Sequence, residues 1–122
     1  IRKKMVYLTP EEWVRQNFVK YLIDELGYSK ALIKVESGLL YNKRLKRSDI
    51  VVFNNHATPE ILVECKSTSI PISQHMFDQV AVYNNTLKAQ YLVISNGLEH
   101  YCCQVDFEKN EIKYLSAIPS KK

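Results

Sequence analysis

Apolar residues return along this chain in two rhythms. Val14, Phe18, Tyr21, Leu22 and Leu26 recur every three or four positions, which places them along one side of a helix. Thr9 as N-cap, Pro10 at the first helical position, Glu12 at the third and Gly27 just past the stripe predict that this helix runs to about Leu26. Met76, Val80, Tyr83 and Leu87 repeat the rhythm and predict a second helix, opened by Ser73 or Gln74 and running to about Leu87. The other rhythm is a series of short β-branched or continuously apolar runs over residues 31–36, 50–53, 61–63, 90–95, 100–105 and 111–115, each read as a strand. Gly38, Asn96-Gly97 and Lys109-Asn110 mark turns between them. Strand 90–95 is reached from strand 61–63 through the second helix, so those two run parallel. Helix, three strands, helix, three strands is the order of an α/β fold, a mixed β-sheet with a helix packed on each face.

The stretch from Ser48 to Ser67 is the centre of this arrangement. Ile50-Val51-Val52-Phe53 and Ile61-Leu62-Val63 flank Asn54, Asn55, His56, Ala57, Thr58 and Pro59, a hairpin with a six-residue connection. A bulge-free hairpin pairs Phe53 with Glu60, Val51 with Leu62 and Asp49 with Glu64. Lys66, two residues beyond Glu64, then projects from the same face. Directly opposed residues have Cβ atoms roughly 4.5–5.5 Å apart, so Asp49 and Glu64 are expected to converge.

Two converging carboxylates need a neutralising partner: a shared proton, a cationic side chain or a metal ion. Lys66 supplies part of that charge. The oxygen donors favour Mg²⁺ over Zn²⁺, because no thiolate or imidazole stands at ligand spacing. The alternative is a solvated strand face carrying an ordinary Glu-Lys pair. Glu12 also has two readings. It can close a capping box with Thr9, or reach over the sheet edge toward Asp49 and Glu64. Glu36, near the end of the first strand, either borders this acidic group or faces solvent. The Lys43-Arg44-Leu45-Lys46-Arg47 run, the densest basic segment, lies just before Asp49 and is either a solvated loop or a phosphate-holding surface.

Asp49, a gap, then Glu64-Cys65-Lys66 resembles the signature of the PD-(D/E)XK nucleases. Gln79-Val80-Ala81-Val82-Tyr83 resembles the Q-x-x-x-Y helix motif of one branch, and the sequence is most similar to the N-terminal nuclease domain of type I restriction enzyme R subunits. The likeness extends from the segment Thr9-Pro10-Glu11-Glu12-Trp13-Val14-Arg15-Gln16 to Val93-Ile94-Ser95-Asn96-Gly97. It implies a restriction-endonuclease-like mixed β-sheet core flanked by helices and a Mg²⁺-dependent DNA endonuclease, with Mn²⁺ as a substitute ion. The resemblance gives Asp49 and Glu64, with the Cys65 carbonyl, the metal, and gives Lys66 the attacking water. Glu12 completes the acidic cluster, while Gln79, Tyr83, Arg15, Arg44 and Arg47 position DNA. The implied partners are DNA and other restriction-type subunits or a motor protein acting in trans. A nuclease-fold module that binds DNA or docks on a complex, with little cleavage of its own, is the rival reading.

Composition changes this picture little. The 122 residues suit one domain and carry a net charge of +4 with a pI near 8.9, compatible with a polyanion partner. Three cysteines without a C-x-x-C pair argue against a disulfide framework or zinc site, so a reducing cytoplasm is the expected setting. No apolar run reaches the roughly 20 residues of a membrane span, and the start lacks a signal-peptide core. No G-x-x-x-x-G-K-[ST] occurs, so the stretch carries no ATP motor motif. Residues 119–122 read as a frayed tail. Reversing the charge of Arg44 and Arg47 is expected to weaken DNA binding equally for unrelated sequences and to flatten its salt dependence, the slope falling by about 0.9 for each phosphate that is no longer neutralised. Fluorescence anisotropy across a salt series measures this, and an unchanged slope would leave the basic run merely solvated.

Overall fold

Pro10 opens the first helix, α1 (Pro10–Asp24), where its missing N–H costs nothing. In this computed structural model residues 10–36, 40–41, 44–45 and 49–121 are described, with the backbone alone for 36, 40–41, 44–45 and 49. Thr9, the expected N-cap, lies outside them. Val14, Phe18 and Leu22, four apart, are the residues α1 buries. Each removes enough apolar surface to contribute roughly 1.5–3 kcal/mol. Tyr21, expected in this stripe, is 37% exposed. The chain turns out of α1 through Gly27 at φ 81°, a left-handed conformation that suits glycine.

Strand β1 (Ile33–Glu36) begins two residues later than the pattern predicts, because Lys30–Leu32 form a 3-10 turn. The Ser29 hydroxyl accepts from the Ala31 N–H at 3.2 Å, a local bond that competes with strand pairing. Two short strands absent from that prediction, β2 (Leu40–Tyr41) and β3 (Arg44–Leu45), form a separate antiparallel ladder. Arg44 is therefore in a strand, whereas Lys43, Lys46 and Arg47 lie outside the described residues.

The main sheet has six strands in the order β1, β4 (Asp49–Phe53), β5 (Pro59–Cys65), β6 (Tyr91–Ser95), β7 (His100–Asp106) and β8 (Glu111–Leu115). Only β5 and β6 are parallel. The crossover between them is α2 (Gln74–Leu87), which Ser73 caps by accepting the Met76 N–H. Every residue from Ile61 to Cys65 is buried, the pattern of a strand covered on both faces. Ile61, Val63 and Cys65 pack toward α1, and Leu62 toward Phe77 and Val80 of α2.

The β4–β5 hairpin departs from the expected symmetric register in one place. Val51 pairs with Leu62 as predicted, but a bulge between Val52 and Phe53 sets Phe53 opposite Pro59 instead of Glu60. The cause is the loop, which is closed early by Asn54: its N–H donates to the Thr58 carbonyl, and its Oδ1 accepts from the N–H groups of His56 and Thr58. The connection shrinks to residues 54–58, with Ala57 left-handed at φ 64°.

Two further expectations need correction. Residues 119–121 are tied down: the Tyr28 hydroxyl donates to the Pro119 carbonyl at 2.7 Å, and the Lys121 N–H to the Leu26 carbonyl at 2.8 Å. The buried face of α2 is Phe77, Val80 and Asn84, with Met76, Tyr83 and Leu87 only partly covered. Asn84 goes inward because its amide accepts from the Ala89 N–H at 2.8 Å and donates to the Ala89 carbonyl at 3.0 Å, fixing the turn into β6. Lys88 supplies the left-handed residue there, at φ 63°. Among the described residues no helix is long and apolar enough to cross a membrane.

Asn84→Ala removes both bonds and leaves the Ala89 groups buried without that partner, so a loss of roughly 2–4 kcal/mol is expected. Urea unfolding measures it, and a midpoint unchanged from the parent would show the turn to be held by its backbone alone.

Candidate active site at the end of the central strand

Glu64 occupies the same alternation on β5 as Leu62, so its side chain lies in the α2 layer, and it is only 5% exposed. Lys66 stands just past the strand. Its N–H donates to the Ser95 carbonyl at 2.8 Å, prolonging the β5–β6 ladder by one bond and fixing the lysine's backbone. From there Nζ reaches Glu64 Oε2 at 3.1 Å. The carboxylate is the deeper partner and the ammonium faces the opening. The sequence predicted this pair on one face, and the structure brings it together.

Asp49 begins β4 and pairs with Glu36 of β1. The β4–β5 ladder ends with Ile50 opposite Val63, and Asp49 and Glu64 are the next residues of their strands beyond that pair. Continuing the register by one step would set Glu36, Asp49 and Glu64 in one row across three strands. The Glu36 and Asp49 side chains lie outside the described residues. Among the described residues no three His, Cys, Asp or Glu side chains converge as metal ligands. The residue types in this row are carboxylates, whose hard oxygens are of the kind that bind a magnesium-like cation.

The loop leaving Lys66 is held by its neighbours. Ser67 is buried, its hydroxyl lies 3.0 Å from that of Ser69, and its carbonyl accepts the Ile70 N–H. Asn96, in the β6–β7 turn, donates to the Ile70 carbonyl at 2.7 Å and accepts from the N–H groups of Leu98 and Glu99. Gly97 adopts φ 89°, and a Cβ there would stand 3.3 Å from both Thr68 Cγ2 and Val14 Cγ2. The β6–β7 turn, the Lys66 loop and the first turns of α1 therefore meet at one end of the sheet.

The remaining predicted residues are spread over both layers. Glu12 accepts from Arg15 Nε at 2.8 Å and from a terminal nitrogen of the same guanidinium, so these two hold each other on α1. Gln79 is exposed on α2, and Tyr83 is half-buried against the Leu62 layer. Arg44 is in β3 and Arg47 lies outside the described residues.

Sequence reasoning missed a group on the α1 side. His100 Nδ1 lies 2.7 Å from the Ser95 hydroxyl, and its ring is nearly parallel to that of Tyr21, with centroids 6.1 Å apart and planes inclined by 11°. Phe18 meets both rings edge-on. A signal was present: Trp13, Asn17 and Tyr21 are four apart, forming a second stripe beside Val14, Phe18 and Leu22. The three cysteines are free and buried, and burial pushes the thiols of Cys102 and Cys103 up to about 12 and about 11. They are correspondingly poor nucleophiles.

A mixed six-stranded sheet, a helix on each face and a Glu-x-Lys pair closing its central strand define an α/β fold of the restriction-endonuclease-like class. The model of the family described as type I restriction enzyme R protein N terminus (HSDR_N) matches residues 10–119, and this chain belongs to that family. Among solved structures, a fragment assigned as an HsdR subunit of a type I restriction enzyme from Vibrio vulnificus YJ016 superposes with a TM-score of 0.62 at 21% identity. The match covers 92% of this chain and 24% of that one, so this chain spans about a quarter of it. No curated protein matches the sequence.

Burial holds the His100 pKa below its ordinary value of 6.5. The unfolded chain therefore takes up this proton first as pH falls, so the contribution of neutral His100 is complete above 6.5 and lost as pH falls through the folded value. Parent stability is expected to decline as pH falls below 6.5, and His100→Gln to lose that part of the decline. Urea midpoints across the series test it, and parallel curves for the two proteins would remove His100 as the cause.

Proposed function

We propose that this chain is the nuclease module of a type I restriction R-subunit-like protein, hydrolysing DNA phosphodiesters with Mg²⁺ or Mn²⁺. The observation that carries the reading is the buried Glu64 carboxylate held 3.1 Å from Lys66 at the end of the central strand, with Asp49 at the start of the neighbouring strand β4. A carboxylate so far from water persists beside a cation, and the open end of the sheet is where a phosphate can approach it. Asp49, Glu64 and the Cys65 carbonyl would hold the ion. Bound there, it would supply positive charge to the phosphoryl oxygens and acidify water. Lys66 orients the water and offsets charge developing on the phosphate. Arg44, Arg47, Gln79, Tyr83 and Arg15 take the strand's backbone, and Glu12 supports the acidic row from α1.

Glu64→Ala and Lys66→Ala are each expected to abolish metal-dependent nicking of supercoiled plasmid while leaving the circular dichroism spectrum intact. Persistent cleavage in both would move the chemistry elsewhere. Retention of DNA without cutting by the parent would instead identify a binding or docking module. Asp49→Asn tests the ion directly. The parent should gain about 1.4 kcal/mol when the ion is at ten times its dissociation constant, and the variant should lose that gain while melting at an equal or higher temperature without metal. An Asn variant that keeps the full metal response would take Asp49 out of the ligand set.

A further inference from the structure

We propose that the cleft between α1 and the β6–β7 turn receives an unstacked nucleobase of the DNA whose backbone lies at Glu64 and Lys66, an assignment that rests on the nuclease reading. The cleft, about 260 Å³, is lined by Trp13, Asn17, Tyr21, Ser95, Gly97 and His100 together with the buried Val14 and Phe18. That is smaller than the roughly 300–1,000 Å³ of ordinary cofactor pockets and suits a flat ring better than a whole nucleotide. Its walls are flat as well. Tyr21 and His100 stand parallel, and Trp13 is 49% exposed on the same helix one turn from Asn17. The core uses Val14, Phe18 and Leu22 and has no need of these outer rings.

The chemistry of the lining separates a base from a phosphate. Among the lining residues there is no lysine or arginine, and burial biases His100 toward its neutral ring, so an anion finds no counter-charge. Aromatic faces stack on any base. Asn17 provides the polar rim, donating to the Trp13 carbonyl, while the buried Ser95 hydroxyl, which accepts from the Gly97 N–H and meets His100 Nδ1, fixes the floor.

Position supplies the ligand's identity. Ser95 pairs with Cys65 across the parallel ladder, and its carbonyl holds the Lys66 N–H. The cleft therefore begins one strand spacing, about 4.8 Å, from the strand end that carries Glu64, but on the opposite layer of the sheet. Gly97 keeps the β6–β7 turn close to α1 and to the loop that follows Lys66: a Cβ there would stand 3.3 Å from both Thr68 Cγ2 and Val14 Cγ2. A strand bound at Lys66 can send a neighbouring base around the end of the sheet only if that base has left the helical stack, which selects single-stranded or locally opened DNA.

Trp13 is the only tryptophan in the chain and reports on its own cleft. With EDTA present to prevent cleavage, an oligothymidylate of about eight nucleotides, within the usual site sizes of single-strand binders, is expected to quench Trp13 emission on binding. An abasic oligomer of the same length should bind, by anisotropy of an end label, without quenching. Tyr21→Ala and His100→Ala should weaken oligothymidylate binding by roughly 5- to 150-fold, the weight of one stacked base, and leave the abasic oligomer's affinity unchanged. Tyr21→Phe, which keeps the ring and guards against a folding defect, should bind like the parent. Bound oligothymidylate with unquenched Trp13, or equal losses for both oligomers, overturns the assignment and leaves the cleft to a protein surface. DNA that quenches Trp13 but is never cut with metal keeps the cleft and removes the nuclease reading, whereas failure to bind either oligomer beside metal-dependent nicking of plasmid removes the cleft and keeps the nuclease reading.

Discussion

A strand covered on both faces has no wet side on which to place a charge, and β5 carries one. Glu64 is buried among apolar layers, and Lys66, two residues on and nearer the opening, stands beside it at 3.1 Å. Such a pair gains little over an apolar substitute of equal volume, because the desolvation of both groups offsets most of their attraction. Stability alone therefore does not account for it. What the pair requires is geometric: β5 must be central and straight to its last residue, and the lysine's backbone must be pinned. The parallel ladder to β6 meets the second demand through the Lys66 to Ser95 bond, and the helices on the two faces meet the first.

The same end of the sheet is held by side chains that stand in for backbone. Asn96 satisfies the N–H groups of its own turn and, through its amide nitrogen, the Ile70 carbonyl of the neighbouring loop. Gly97 permits the left-handed step and the close approach of α1. Asn84 performs the equivalent service at the other end of α2, and Asn54 in the β4–β5 loop. In each case a short amide replaces bonds that a loop cannot make with itself, a role open to asparagine because its donor and acceptor lie close to the main chain. The loop after Lys66 is thereby held by bonds within itself and from the β6–β7 turn.

Elements governed by repetition were legible in the sequence, and elements governed by single polar contacts were not. The four-residue spacing of Val14, Phe18 and Leu22, the unbroken apolar runs of β5 and β6 and the Ser73 cap each announce themselves, and the one parallel pair follows from them. Glu64 and Lys66 could be set together from alternation alone. The bulge at Phe53 could not, since it depends on how Asn54 folds back on its loop. Nor could the inward turn of Asn84, which a polarity pattern assigns to solvent, or the anchoring of residues 119–121 by Tyr28, a contact spanning most of the chain. Tyr21 and His100 went unread for a related reason: their meeting requires knowing that β7 lies beneath α1.

Alternation along two paired strands explains why one sheet end presents two unlike surfaces. Glu64 and its neighbour Ile94 face the α2 layer, while Cys65 and its neighbour Ser95 face α1. One residue step thus separates a charged surface, suited to phosphate, from an aromatic one, suited to flat rings. Neither requires distortion of the strands, and each is backed by a different helix, so a change in one need not disturb the packing of the other. The edge of the sheet between them is narrow: beyond Cys65 and Ser95 the chain leaves in turns held by Asn96 and Ser67. A nucleotide has the same division within it, a charged backbone and a flat apolar base joined by a short sugar, and in the proposed reading the two halves of the ligand meet the two layers of the protein around that edge.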